Sequence, residues 1–145
     1  MFGAIKFTFT SIDINSSLLD LILRLVVAAA CGFMIGFERK TRSKEAGIRT
    51  HAIVCMAAAL MMVISKYGFA DQTNGSDGIR GADSARIAAQ IVSGIGFLGA
   101  GIIFYRRDML HGLTTAAGVW ATAAIGMAIG AGMYVIGAVS TALLI

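Results

Sequence analysis

The sequence predicts an all-α, polytopic membrane protein, a bundle of four complete transmembrane helices followed by a short or truncated fifth. Hydrophobic residues make up 57% of the chain and charged residues only 14%, whereas soluble domains average roughly 25% charged residues. Four apolar segments reach the ~20 residues that a helix needs to cross the hydrocarbon core. The chain also has 18 glycines and no proline, and glycine is common in membrane helices because it lets their backbones approach closely.

The predicted spans follow one another with short connections, over residues 18–37, 48–67, 85–105 and 113–131. A fifth apolar segment begins at Met133, but the sequence ends at Ile145. At about 1.5 Å per residue, that segment covers only ~20 Å of a ~30 Å hydrocarbon core. We therefore expect either an incomplete last helix or a truncated chain.

Residues 1–17 predict an extracytoplasmic segment that lies at the membrane interface. Lys6 and Asp13 interrupt it, so it lacks the continuous apolar stretch of a cleavable signal peptide. Ile5, Phe7 and Phe9 alternate with polar residues, which is typical of a short strand as well as of an interfacial segment. We favour the interfacial segment.

The basic residues predict the orientation of the chain. They concentrate in the loops after the first and third spans, which lie on one side of the membrane, and short basic loops mark the cytoplasmic side. The loop 68–84 balances one arginine against three aspartates and is expected outside. The N-terminus is therefore predicted outside, with the chain end toward the cytoplasm. Because the net charge of +4 is explained by these loops, nucleic acid is not an expected partner.

Ionisable and polar residues inside the spans are candidates for function. Asp20 and Arg24 are four residues apart, so on a helix they share a face and can pair. The alternative is that both lie near the outer interface, with Arg24 reaching toward lipid headgroups. Further polar residues of the third and fourth spans can bond across helices or line a polar cavity; they are Gln90, Ser93, Thr114 and Thr115.

A second candidate cluster brackets the first cytoplasmic loop. Glu38 and Arg39 end one span, and Arg49, Thr50 and His51 begin the next. Helices joined by a short loop are usually antiparallel neighbours, so these groups should face each other near the inner interface. They form either a site for an ion, a headgroup or a partner protein, or an ion pair at a helix end beside ordinary topology-setting charges.

The glycines inside the spans predict close helix packing rather than a nucleotide-binding loop, because no strand precedes them. The residues that we assign to packing are Gly32, Gly36, Gly94, Gly96, Gly99 and Gly101. Cys31 and Cys55 are interpreted as small core residues. Neither histidine has metal-ligand spacing with Cys, Asp or Glu, and no nucleophile–base pair is evident. We therefore predict no enzyme activity and no cofactor, with Mg²⁺ as the one ion left open.

Three sequence blocks resemble the membrane domain of the MgtC/SapB family. The first combines GFER at 36–39 with AGIRTH at 46–51, the second is RIAAQIVSGIGFLGAG at 86–101, and the third is GLTTAA at 112–117 with Trp120. In this order and spacing they are specific, and the resemblance covers residues 18–145. Many members of the family carry a soluble C-terminal domain after the fifth span, and the resemblance implies a truncated chain or a short member in which we expect that domain to be absent.

The resemblance implies an integral protein of the bacterial inner membrane, linked to magnesium homeostasis, adaptation to low Mg²⁺ and, in pathogens, virulence. It favours a regulator that binds other membrane proteins, ATP synthase being a proposed target. The alternative is a transporter or channel for Mg²⁺ or another cation, with a polar route through the spans. A membrane enzyme acting on lipid headgroups is a third, weaker hypothesis. Beside the lipid bilayer, the expected partners are a membrane protein and a second copy of the chain, with a dimer favoured through the glycine-rich faces.

Overall fold

The computed structural model describes residues 14–68, 85–106 and 109–145. For residues 14–17 and Arg106 it describes the backbone only. Within these ranges it contains five helices and one two-stranded hairpin. In chain order the elements are α1 (Ile14–Thr41), α2 (Ile48–Tyr67), α3 (Ala85–Ile102), β1 (Phe104–Arg106), β2 (Met109–His111), α4 (Leu113–Gly130) and α5 (Tyr134–Leu144).

The predicted all-α bundle of four spans is confirmed. Helices α1 to α4 are each long and apolar enough to cross a membrane, and α5 is a shorter apolar helix. Helix α1 is longer than the predicted span at both ends. Residues 14–17, assigned to the interfacial segment, belong to its first turn, and Glu38 and Arg39 belong to its last turns. The rest of the predicted N-terminal segment and the outer loop 69–84 lie outside the described residues.

The third span ends earlier than the sequence predicted, because a small β-hairpin replaces its last turn. Phe104 pairs with His111 and Arg106 with Met109 in an antiparallel register, and the rings of Phe104 and His111 stack with centroids 5.5 Å apart. Aromatic residues favour strands, but in an apolar run their hydrophobicity is indistinguishable from that of a helix. Gly112 then starts α4 with φ +86, a conformation that favours glycine.

The core lies between α1, α2 and α4. Its buried members are mostly small or β-branched, which lets the three helices approach closely: Ala28, Cys31, Ile35, Cys55, Ala59, Ile125 and Ile129. Both cysteines are buried and unpaired, in agreement with their interpretation as core residues. Helix α4 is the most deeply buried of the four spans, whereas α3 has a single buried residue, Gly99.

The predicted packing glycines divide into two groups. Gly32 and Gly36 face α2, where a Cβ would lie 2.8 Å from the Ala52 Cα and 2.5 Å from the Ile48 Cα respectively. These positions leave no room for a side chain. In α3 the contacts are open: Gly99 only approaches Ala116 at 3.8 Å, and a Cβ at its neighbouring glycines would meet no atom of the described residues within 4 Å. Those open glycines are Gly94, Gly96 and Gly101.

Large apolar side chains cover the outside of the bundle. Leu19, Phe97, Val135 and Leu143 are between 62% and 83% exposed, and many others are about half exposed. A soluble monomer rarely presents so continuous an apolar surface. Together with the four long apolar helices, this surface identifies a multi-pass membrane protein.

Candidate functional site

The charged and polar side chains of the bundle collect into two groups at opposite ends of α1. We call the first the Arg24 cluster, formed by Asp20, Arg24, Tyr67 and Tyr134. We call the second the Glu38 cluster, formed by Glu38, Arg39 and Arg42. The apolar core separates them along the helix.

The predicted pairing of Asp20 with Arg24 is present. The Arg24 Nε donates to the Asp20 Oδ2 at 2.8 Å, and its Nη2 donates to the same oxygen at 2.5 Å. The Tyr134 hydroxyl donates to the other carboxylate oxygen, Oδ1, at 2.7 Å. The carboxylate is therefore bonded on both oxygens by groups of this chain.

Arg24 also joins helices that are distant in sequence. Its Nη1 donates to the Tyr67 hydroxyl at 3.1 Å and to the Gly130 carbonyl at 3.0 Å. The Gly130 carbonyl belongs to the last turn of α4, where carbonyl groups lack partners inside the helix and attract cations. One guanidinium group thus links α1 to α2 and to the end of α4, and through Asp20 to α5.

The turn from α4 to α5 packs closely against the Arg24 cluster. Gly132 has φ +92, and a Cβ there would lie 3.4 Å from the guanidinium atoms of Arg24. Lys66 donates to the Ala131 carbonyl at 2.9 Å, so a second cation bonds the same helix end. The cluster therefore fixes how the fifth helix leaves the fourth.

The Glu38 cluster lies at the C-terminal end of α1. The Arg39 Nε donates to the Glu38 Oε2 at 2.5 Å, and Arg42 forms an ion pair with Oε1. Glu38 is only 9% exposed, and a buried carboxylate needs such partners. Arg42, one of the basic residues of the first loop, is thus a direct ion-pair partner of Glu38.

His51 lies in the first turn of α2 and is completely buried. Its Nδ1 is 3.0 Å from the Gly47 carbonyl oxygen; because a carbonyl can only accept, Nδ1 carries the hydrogen. The Nε2 is then an acceptor without a hydrogen-bond partner among the described residues, and it faces α4 at Gly118. His51 is therefore packed inside the bundle instead of facing solvent.

A further bond ties the first loop to α4. The Thr115 hydroxyl donates to the Glu45 carboxylate at 2.6 Å, and this bond holds the pKa of Glu45 below its usual range. The sequence analysis missed Glu45, because nothing in the local pattern connects a loop carboxylate to a residue seventy positions later. Thr115 is buried, whereas its neighbour Thr114 is exposed.

Arg49 and Thr50 do not join the Glu38 cluster. Both are exposed, and they border a separate cavity of about 480 Å³ together with Lys40, Gly47 and Ile48. Gln90 and Ser93 are also exposed, on α3. The five residues predicted around the first loop therefore separate into a buried ionic group, a buried histidine and an exposed pair.

Metal binding depends on which side chains of the described residues could act as ligands. No group of three or more His, Cys, Asp or Glu side chains within residues 14–68, 85–106 and 109–145 is arranged to hold one. Asp20 and Glu38 are the acidic residues of the described helices, and arginines already bond both.

Four helices that are long and apolar enough to cross a membrane define a multi-pass α-helical membrane protein. Comparison with known proteins gives the family. The MgtC family matches residues 25–145, so the chain belongs to the MgtC family.

Relatives from several bacteria are similar to the chain. It is 56% identical over 119 residues to the "Putative magnesium transporter YhiD" of Escherichia coli (strain K12), which covers 81% of this chain and 54% of the relative. It is 44% identical over 121 residues, 83% of this chain and 47% of the relative, to "Protein MgtC" of Brucella abortus (strain 2308).

A third relative is "Protein SapB" of Bacillus subtilis (strain 168), 35% identical over 119 residues, 79% of this chain and 49% of the relative. The chain thus spans about half the length of the relatives that it matches. No solved structure matches it.

Proposed function

We propose that this chain is the membrane domain of a regulatory protein that acts on other membrane proteins through helix contacts and serves magnesium homeostasis. The observation that carries the proposal is the state of the two carboxylates in the described helices. Asp20 is paired with Arg24, and Glu38 is paired with Arg39 and Arg42, although the Glu38 Oε1 makes no hydrogen bond among the described residues. They stabilise the bundle instead of offering free ligands.

Transport of Mg²⁺ would make different demands on the spans. Mg²⁺ prefers oxygen ligands, keeps several waters and is usually held by one or two carboxylates. A route for it needs polar groups near the middle of the membrane. Here the two clusters are separated by the apolar core around Ile35, Cys55 and Ile129. The groove between α3 and α4, about 200 Å³, is also lined by apolar residues such as Ile91 and Trp120.

A cation transporter is the second candidate, and one observation favours it: the relative from Escherichia coli carries the name putative magnesium transporter. In that case the route has to form from segments outside the described residues, or between copies of the chain. The exposed polar residues of α3 are then the groups to expect along it.

We propose the bacterial inner membrane as the location, with the Glu38 cluster on the cytoplasmic side. The exposed basic residues around that cluster are Lys40, Arg42, Lys44 and Arg49. Their concentration in a short loop is the pattern that retains a loop on the cytoplasmic side. This orientation puts the N-terminus outside and the end of α5 toward the cytoplasm.

The test is Mg²⁺ flux into liposomes that contain the purified protein, beside empty liposomes and a Glu38→Gln variant. A regulator gives no saturable flux above the empty liposomes, although the same protein restores growth of a deletion strain in low Mg²⁺. Saturable flux that Glu38→Gln abolishes would establish the transporter and overturn the proposal. Circular dichroism and protease protection show that each preparation is folded and inserted.

A further inference from the structure

Helix α3 packs on the bundle through one face only. Ile91 and Ile95 border the groove shared with α4, and Gly99 is the single buried residue. These three residues are four apart and therefore follow one stripe of the helix. The rest of α3 has no neighbour among the described residues that buries it.

The face of α3 away from this stripe carries four residues at a regular spacing. Gln90, Gly94, Phe97 and Gly101 are spaced four, three and four residues apart, which is the spacing of a heptad seam. All four are exposed, Phe97 by 81%. A Cβ at Gly94 or Gly101 would meet no atom of the described residues within 4 Å. We call these four residues the α3 seam.

Contact with lipid hydrocarbon is unfavourable for the polar residue of this seam. The side chains of Gln90 and of its neighbour Ser93 form no hydrogen bond within the described part of the chain. Ser93 lies at the middle of the 18-residue helix, and Gln90 lies about 5 Å from that middle along the axis. An amide placed in an apolar medium without hydrogen-bond partners is strongly unfavourable. The exposed amide therefore calls for a partner with its own donors and acceptors.

We propose that the α3 seam binds the α3 seam of a second copy, in a parallel pair related by a twofold axis. The side-chain amide of Gln90 both donates and accepts, so two copies of Gln90 facing each other complement one another. Copies inserted in the same orientation are parallel, and the twofold axis then places identical residues opposite each other. The glycines of the seam let the two backbones approach closely.

The heptad spacing also fixes the geometry of the pair. A seam repeating every 3.5 residues gives a left-handed crossing near about +20°. A polar residue within such a seam specifies register and orientation, and Gln90 has this position here. The inference concerns the assembly of the chain and does not depend on whether the protein regulates or transports.

Cysteine crosslinking of the full chain in native membranes tests the contact. Phe97→Cys should form a dimer on oxidation, while Leu143→Cys should not. Leu143 is the matched control because it is 83% exposed on α5, on a different part of the surface. The natural cysteines, Cys31 and Cys55, are buried and serve as the background. Equal crosslinking at both sites, or none at Phe97→Cys, would overturn the proposal.

The energetics are tested by fluorescence energy transfer between labelled copies in liposomes at several protein-to-lipid ratios. Gly94→Leu should abolish the dimer. Gly96→Leu should leave it, because Gly96 is equally open in the single chain but lies about 120° from the seam centre. Gln90→Leu should raise the dimer dissociation constant about 3- to 30-fold, the range expected for a hydrogen bond between membrane helices. A protein that is monomeric at all ratios, or a dimer indifferent to Gly94→Leu, contradicts the assignment.

Discussion

The guanidinium group of Arg24 bonds the Asp20 carboxylate through two nitrogens, at 2.8 and 2.5 Å, one helical turn along α1. The same group reaches the Gly130 carbonyl 106 positions later in the chain. A pairing that begins as a local feature of one helix therefore organises the end of α4 and the start of α5.

Replacing Arg24 should destabilise the bundle more than replacing Asp20. Arg24→Ala removes the hydrogen bonds that Arg24 makes to a carboxylate, a tyrosine hydroxyl and a helix-end carbonyl, and this loss should cost about 2 kcal/mol. Asp20→Asn retains an acceptor for Arg24 and should cost about 1 kcal/mol. Unfolding in mixed micelles, followed by circular dichroism, measures both. Equal losses would show that Arg24 acts only through Asp20.

Removing the Tyr134 hydroxyl should loosen α5 selectively. Tyr134→Phe deletes the 2.7 Å bond to Asp20, which we expect to cost about 1 kcal/mol. Because this bond attaches α5 to α1, amide hydrogen exchange should rise in α5. Tyr67→Phe is the matched control, since it deletes a hydroxyl bonded to Arg24 at 3.1 Å from α2. Faster exchange of α5 in both variants to the same extent would contradict the assigned role of Tyr134.

Adding a methyl group at Gly36 should force α1 and α2 apart. A Cβ at this position would lie 2.5 Å from the Ile48 Cα and 2.9 Å from the Gly47 carbonyl oxygen. Overpacking of this kind typically costs about 1–3 kcal/mol. Gly96→Ala in α3 is the control: its Cβ would meet no atom of the described residues within 4 Å, so it should be neutral or stabilise by about 0.5 kcal/mol through helix propensity. The free energies of unfolding of the two variants are compared with that of the wild type. Equal values for the two variants would contradict the close packing at Gly36.

The Glu45–Thr115 bond should make stability depend on pH. Since this bond lowers the pKa of Glu45 in the folded state, its contribution is complete above the unfolded pKa of roughly 4.3. The contribution is lost as pH falls through the folded value. Thr115→Val should reduce stability near neutral pH and have a smaller effect at acid pH. A Thr115→Val effect that is constant with pH would show that packing at this position outweighs the bond to Glu45.

Much of the fold follows from the sequence alone because hydropathy and length determine where a membrane helix can lie. The i, i+4 spacing of Asp20 and Arg24 showed that they can pair, while an Arg24 that reaches toward lipid headgroups stayed open as the alternative. The partners Tyr67 and Tyr134 were not predictable in the same way. They come from other helices, and only the packing of α2, α4 and α5 around α1 brings their hydroxyls to the same group.

The glycines also show that tertiary contacts cannot be predicted from the local sequence. Gly36 and Gly94 occupy similar apolar surroundings in the sequence, yet Gly36 lies against the backbone of α2, whereas a Cβ at Gly94 would meet no atom of the described residues within 4 Å. Which glycine is packed depends on the tertiary arrangement, because glycine carries no side chain that would indicate a direction. The hairpin after α3 escaped prediction for a related reason: a short apolar aromatic run is compatible with the end of a helix and with a strand.

Binding of Mg²⁺ to the purified full chain, measured by equilibrium dialysis with metal analysis, tests the central claim that arginines occupy both carboxylates. Wild type, Asp20→Asn and Glu38→Gln should all retain the same small, non-saturating amount of Mg²⁺ at near-neutral pH and physiological ionic strength. Saturable binding near one ion per chain that either variant abolishes would contradict the account, because that carboxylate would then be a metal ligand.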